Sequence, residues 1–201
     1  MKIVLASQSP RRRELLGQMG LEFTVQVSQL DEAQFSGLPP AELVTTLARE
    51  KAALVAADVG PSALVIAADT VVVLDGAVLG KPVSPQEAED MLWSLSGREH
   101  QVYTGVCVEH DGRVLTEYEV THVTFRSLTR EEIRAYVSTG EPMDKAGAYG
   151  IQGYGGLLVE GIRGDYFAVV GLPVGRLAQI LRTFGVDPLT LAAQKAATSP
   201  K

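Results

Sequence analysis

Cysteine occurs once in this 201-residue chain, at Cys107, so no internal disulfide can form and no Cys/His cluster suited to zinc is present. Cys107 lies in an apolar, alternating stretch where a buried thiol is expected. Histidine is nearly as scarce. His100, His110 and His122 sit in strand-like context without a Ser or Cys nucleophile beside them, and they read as core or surface residues. No apolar run is long enough to span a bilayer, because the longest, Ala63 to Leu74, is short and is interrupted by Asp69. At the N-terminus the apolar run covers only Ile3 to Ala6, and its arginines follow rather than precede it, which is the wrong order for a secretory signal. A cytoplasmic location is expected. Positive charge does not dominate either: 18 Lys and Arg stand against 24 Asp and Glu, for a net charge of −6. That balance argues against binding a nucleic-acid polymer or an anionic membrane, both of which need an extended basic face. Neither a GxxxxGK[ST] loop nor a GxGxxG turn after the first strand is present.

What is present is an ordinary globular composition, 46% hydrophobic and 21% charged, with strand-like and helix-like segments alternating as in an α/β fold. The length suits one domain, bilobed over 1–189, and the Ala-rich segment 190–201 reads as a loose tail. An apolar strand at Ile3 to Ala6 runs into a helix opened by Ser9-Pro10 and closed at Gly20, and Phe23 to Val27 alternates as a strand. Pro39-Pro40 opens a long helix through Ala57, with Glu50 and Lys51 beside its apolar stripe. Ala63 to Leu74 reads as a buried strand, with a hairpin at Asp75-Gly76 and a return over Ala77 to Leu79. Capping boxes at Ser84 to Glu87 and Thr129 to Glu132 predict two further helices, ending at Gly97 and Gly140. Between them, strands over Val102 to Val108 and Arg113 to Phe125 meet at Asp111-Gly112. A Gly-rich loop from Glu141 to Gly156 follows. Leu157 to Ile162 and Phe167 to Val170 are expected as closing strands, and Pro173 to Phe184 as the final helix.

Chemistry concentrates at a few of these places. Ser7-Gln8-Ser9-Pro10-Arg11-Arg12 sets hydroxyls and guanidinium groups at a helix N-terminus, whose unpaired N–H groups favour an anion; Arg adds bidentate recognition of phosphate. The same residues also fit a plain N-cap with solvated arginines. Asp69 is a carboxylate inside an apolar strand and needs a partner: a metal, a water it activates, or nearby backbone. Hydrolysis of a nucleoside triphosphate needs cations, a carboxylate and usually a divalent metal on oxygen ligands. Arg11, Arg12, Lys51, Lys81 and Lys145 are candidates for the positive charge, and Glu32, Glu50, Asp69 and Asp144 for the oxygen ligands or the base. Tyr149 and Tyr154 are candidates to stack on a base, although loop aromatics more often pack.

Ser7 to Arg12, Arg49-Glu50-Lys51-Ala52, Ala67-Ala68-Asp69-Thr70-Val71, Gly80-Lys81-Pro82, Leu95-Ser96-Gly97-Arg98 and Asp144-Lys145-Ala146-Gly147, in this order, resemble the Maf family of nucleoside triphosphate pyrophosphatases. The resemblance runs from Ile3 to about Phe184. It implies an α/β fold like that of the inosine triphosphate pyrophosphatases: a curved mixed sheet flanked by helices, in two lobes with a central cleft. It also implies that Asp69 is the catalytic proton acceptor, with Ser7, Arg12, Glu32, Lys51 and Lys81 lining the phosphate and metal site; from their chemistry Lys145 is also expected on the substrate, and Glu50 beside Glu32 and Asp69 as a ligand for Mg²⁺ or Mn²⁺. Arg11, Thr70 and Gln152 match positions linked to base selection, and Gly150-Ile151-Gln152-Gly153 resembles the subgroup acting on dTTP and UTP. A homodimer is expected by the same likeness. The competing readings are a nucleotide-binding regulator of cell division with little turnover, and a pyrophosphatase for 7-methyl-GTP.

Overall fold

The computed structural model describes residues 1–198. Its elements are β1 (Lys2–Leu5), α1 (Pro10–Gln18), β2 (Phe23–Val25), α2 (Pro40–Val59), β3 (Ala63–Leu74), β4 (Ala77–Leu79), α3 (Pro85–Leu95), β5 (Glu99–His110), β6 (Arg113–Phe125), α4 (Arg130–Ser138), β7 (Val159–Arg163), α5 (Tyr166–Val170), α6 (Val174–Thr183) and α7 (Pro188–Thr198). Short 3-10 turns cover Glu32–Phe35, Glu141–Asp144, Ala146–Ala148 and Tyr154–Leu158. The strands form one mixed sheet in the order β2-β1-β3-β5-β6-β7, with β4 paired to β3. β1 is parallel to both β2 and β3, whereas β3 with β4 and β6 with β7 are antiparallel. The α/β class read from the sequence and the mixed sheet implied by the resemblance are what the chain adopts.

By compactness the chain divides into two units. Among the described residues the first comprises 1–69, 105–118 and 171–198, and the second 70–104 and 119–170. In the first, α2 packs Ala48, Ala52 and Val55 onto Val4 and Ala6 of the first strand and its end, Ala63, Val65 and Ala67 of β3, and Cys107 of β5. Alternation along β3 puts positions 63, 65, 67 and 69 on that same face. Asp69 is thereby carried under α2. Gly105 of β5 is where the helix comes closest: a Cβ there would lie 2.3 Å from the Val44 carbonyl oxygen. Burial pushes the Cys107 thiol up to about 11, so it behaves as a core residue.

In the second unit α3 and α4 pack Leu92, Leu95, Ile133 and Tyr136 with Val102, Val123 and Phe125 of the sheet. Thr129 completes a reciprocal capping box with Glu132. Its counterpart at α3 is half made. Ser84 accepts from the Glu87 N–H, but the Glu87 carboxylate accepts from Val83 N–H at 2.7 Å, one residue further back than a capping box requires.

Three sequence expectations are corrected. Phe167 to Val170 is helix α5 rather than a strand: Asp165 accepts the Phe167 N–H at 2.8 Å and so caps a helical turn. Leu157 and Leu158 belong to a 3-10 turn, and the strand starts at Val159. The helix ending at Thr183 is not the last, because Pro188–Thr198 forms α7, into which most of the expected tail falls. Asp187 starts it by accepting from the Leu189 N–H and the Thr190 hydroxyl, both at 3.1 Å. The remainder of that expected tail, 199–201, lies outside the described residues.

His100 is 2% exposed, with Nε2 2.8 Å from the Tyr149 hydroxyl and Nδ1 buried without a partner among the described residues. Burial lowers its pKa to about 4, against a smaller opposing pull from Glu99. Above the unfolded-state value of about 6.5 the residue is neutral in both states. As pH falls below that, the unfolded chain takes up a proton that the native chain refuses, so stability drops until the native value is reached. The loss attributable to His100 is on the order of 3 kcal/mol by pH 4. Urea midpoints at pH 7 and pH 4.5 check it: His100→Gln is expected to flatten the difference, and an equal difference in both proteins would refute the assignment.

Candidate active site

The parallel register that pairs Leu5 with Ile66 carries Ser7 to the level of Ala68, just past the carboxyl end of β1. Ligands of α/β folds collect at such strand ends. Ser7 is buried, and its hydroxyl accepts from the Ser9 N–H at 3.1 Å and from Arg12 Nη1 at 3.4 Å. Ser9 caps α1, with Pro10 in the first turn. The half-buried Arg12 donates through Nε to the Gly171 carbonyl at 2.8 Å. Burial lowers its pKa, with Asp69 opposing, Arg11 acting in the same direction as burial, and Glu32 opposing. Guanidinium stays protonated across any working pH, so Arg12 is a fixed positive charge within electrostatic reach of two carboxylates.

Lys51 ties those carboxylates together. Its ammonium lies 2.5 Å from Asp69 Oδ1 and 2.8 Å from Glu32 Oε1. The Lys51 and Asp69 side chains are each only 11% exposed, whereas Glu32 is 56% exposed. The geometry follows from two periodicities: residue 69 faces α2 by strand alternation, and residue 51 lies in the helical stripe of Ala48, Ala52 and Val55. Glu50, turned by about 100° on the helix, points outward. It is 39% exposed and pairs with Arg49 at 3.4 Å. The structure brings Ser7, Arg12, Glu32, Lys51 and Asp69 together and sets the Glu50 carboxylate on Arg49.

No group of three or more His, Cys, Asp or Glu side chains positioned to hold a metal occurs among the described residues. Glu32 and Asp69 offer two hard carboxylates on one side of the cluster. That donor set fits Mg²⁺, which commonly takes one or two protein carboxylates and completes its octahedron with phosphate oxygens and water.

Arg11 lies in the first turn of α1, in the first unit, and the other expected residues lie in the second. Thr104 donates its hydroxyl to the Ala168 carbonyl at 2.7 Å, so in the 3.0 Å contact between Thr70 and Thr104 the Thr70 hydroxyl is the donor. Toward a ligand Thr70 then acts as an acceptor. Lys81 and Gln152 are exposed. Lys145 spends its ammonium on the Glu141 carbonyl and the Asp144 carboxylate, both at 2.6 Å, and so holds the loop's own turn. Tyr149 is a core ring, edge-on to Phe125 and His100 with centroids 4.7 and 5.4 Å away, and so is not placed to stack on a base; Tyr154 is 63% exposed. Two groups carry no sequence signal: the Gly171 carbonyl on Arg12, a backbone group, and Glu141, which holds the loop around Gln152 mostly through backbone N–H groups and is not itself in the cluster.

Comparison with known proteins agrees with the motifs. The sequence matches the Maf-like protein family over residues 2–184. The dTTP/UTP pyrophosphatase of Moorella thermoacetica is 58% identical over 190 residues, covering 92% of this chain and 96% of its own. That of Bacillus pumilus is 52% identical over 187 residues, covering 93% and 98%. Among solved structures, the HAM1 protein of Coxiella burnetii aligns with a TM-score of 0.47 at 17% identity, over 91% of this chain and 99% of that one. No helix among the described residues is long and apolar enough to cross a membrane. With a family match across nearly the whole chain and relatives at these identities, the chain belongs to the Maf family.

Proposed function

We propose that this chain hydrolyses dTTP and UTP to the nucleoside monophosphate and pyrophosphate. The observation that carries the reading is Lys51 held between Asp69 and Glu32 with Arg12 in electrostatic reach, in a chain whose relatives are named dTTP/UTP pyrophosphatases. Asp69 takes a proton from a water as its oxygen bonds to the α-phosphorus, and the bond from that phosphorus to the β-phosphate oxygen breaks, releasing pyrophosphate. Lys51 holds the carboxylate aimed. Arg12 and Lys81 offset the charge that develops on the leaving group, and Ser7 supports Arg12. A divalent metal on Glu32 and Asp69 would neutralise phosphate oxygens as a Lewis acid. A cytoplasmic location belongs to this reading because its substrates are the cell's nucleotide pool, and the homodimer rests on family likeness.

Base choice is assigned first to Gln152. Gln152 presents one amide donor and one carbonyl acceptor, the complement of the O4 acceptor and N3–H donor of uracil and thymine. Arg11 and Thr70 complete the proposed selection. Gln152→Ala is expected to lower the preference for dTTP over CTP by about tenfold, the worth of roughly one hydrogen bond. Full retention of that preference would remove Gln152 from the reading. The reaction is tested with purified protein, Mg²⁺ or Mn²⁺ and a panel of nucleoside triphosphates, scoring pyrophosphate and monophosphate separately from phosphate and diphosphate. Pyrophosphate with dTMP or UMP supports the proposal; turnover confined to 7-methyl-GTP overturns the base assignment, and binding without turnover overturns the enzyme.

A further inference from the structure

Residues 150–155 carry Gln152 on a stretch with little secondary structure, yet three of its backbone N–H groups are anchored to one carboxylate and phenol pair. Glu141 Oε1 accepts from the Tyr136 hydroxyl at 2.9 Å and from the Gly155 N–H at 3.0 Å, and Oε2 accepts from the Tyr154 N–H at 2.9 Å. The Tyr136 hydroxyl oxygen in turn accepts from the Gly150 N–H at 3.1 Å. The chain is wound tightly around this pair. A Cβ on Gly153 would stand 2.3 Å from Glu141 Oε2, and one on Gly155 would stand 2.7 Å from the Tyr136 hydroxyl and 2.6 Å from the Gly150 carbonyl. Only glycine fits at either place. Burial raises the Glu141 pKa, but the N–H bonds from Gly155 and Tyr154 and the Tyr136 hydroxyl outweigh it and hold the carboxyl below its ordinary range. An ionised acceptor with several donors fixes geometry more firmly than neutral bonds do.

We propose that Glu141, acting with Tyr136, is the positioning residue for base recognition: it fixes the Gly150–Gly155 segment so that Gln152 meets the nucleobase in one orientation. Glu141 itself touches no nucleotide. The inference rests on the assignment of Gln152 to the base. Its distinguishing consequence is that loosening the clamp weakens and blurs substrate binding while the machinery around Asp69 and Lys51 is unchanged. Glu141→Gln exchanges one acceptor oxygen for an NH₂ that faces a backbone N–H, and Tyr136→Phe removes the bridging hydroxyl with little change of shape.

The test measures kcat and KM for dTTP, UTP and CTP, together with amide hydrogen exchange over 136–158, in the wild-type protein and both variants. In Glu141→Gln, KM for dTTP and UTP is expected to rise about tenfold with kcat held within about threefold, and discrimination against CTP to fall about tenfold. Exchange at Tyr154 and Gly155 is expected to quicken at least about tenfold, since their acceptor is weakened. Tyr136→Phe is expected to move each quantity the same way by less. A lower Tm with KM, base preference and exchange unchanged overturns the proposal, as does a fall in kcat without a change in KM. If the wild-type protein turns over 7-methyl-GTP in place of dTTP and UTP, the substrate reading fails by itself, and the same KM and exchange changes with that nucleotide still decide for or against Glu141. If it turns over nothing, dissociation constants for dTTP, UTP and CTP take the place of KM and decide in the same way.

Discussion

Asp69→Asn is expected to lower kcat for dTTP at least about a hundredfold with KM changed little, because the amide keeps the shape of the carboxylate but cannot take the proton from water. Release of pyrophosphate in the presence of Mg²⁺ or Mn²⁺ measures it. The substitution does not dismantle the cluster. Lys51 keeps Glu32 at 2.8 Å, and Arg12 keeps the Gly171 carbonyl and Ser7. A loss of activity with an unchanged urea midpoint therefore speaks for chemistry at Asp69 rather than for damage to the fold. A kcat within about tenfold of wild type would take the base role from Asp69, since general-base catalysis ordinarily supplies about 10² to 10⁴ in rate.

The sequence makes Asp69 conspicuous for the same reason that makes it useful. Eleven apolar or small neighbours in β3 leave an ionised group there unexplained unless something pairs with it, and strand parity names the face on which to look. β3, its hairpin at Asp75-Gly76 and α2 were equally legible, since a long apolar strand, an Asp-Gly turn with positive φ at both residues, and a Pro-started helix each have their own local chemistry. Phe167 to Val170 was not, because a short apolar run has no period to separate strand from helix. The deciding atoms there belong to Asp165, outside the run. Asp187-Pro188 carries a helix-start signal that the Ala-rich composition behind it obscures. The choice between Glu50 and Lys51 depends on helix phase to within one residue, which adjacency does not supply. Glu141 was invisible as a clamp: its donors are backbone N–H groups, present at nearly every position, and their convergence exists only once the loop is folded.

Lys51→Met is expected to destabilise the protein by about 3 kcal/mol at pH 7, because it leaves a buried carboxylate without its counter-charge. Urea unfolding measures this. The burden falls on Asp69, 11% exposed in its side chain, rather than on Glu32, which at 56% exposed keeps most of its water. That asymmetry separates stability from chemistry in the double variant. With Lys51→Met and Asp69→Asn combined, no ion of the buried pair remains, so about 2 kcal/mol of the loss should return. Turnover should not return, because neither the proton acceptor nor the cation beside the phosphates has been restored, and either absence alone lowers the rate about a hundredfold or more. A more stable double variant that stays inactive is the signature of two residues kept together for the reaction they perform. A double variant no more stable than Lys51→Met would mean that the stability lost in the single variant does not come from the unpaired Asp69 carboxylate.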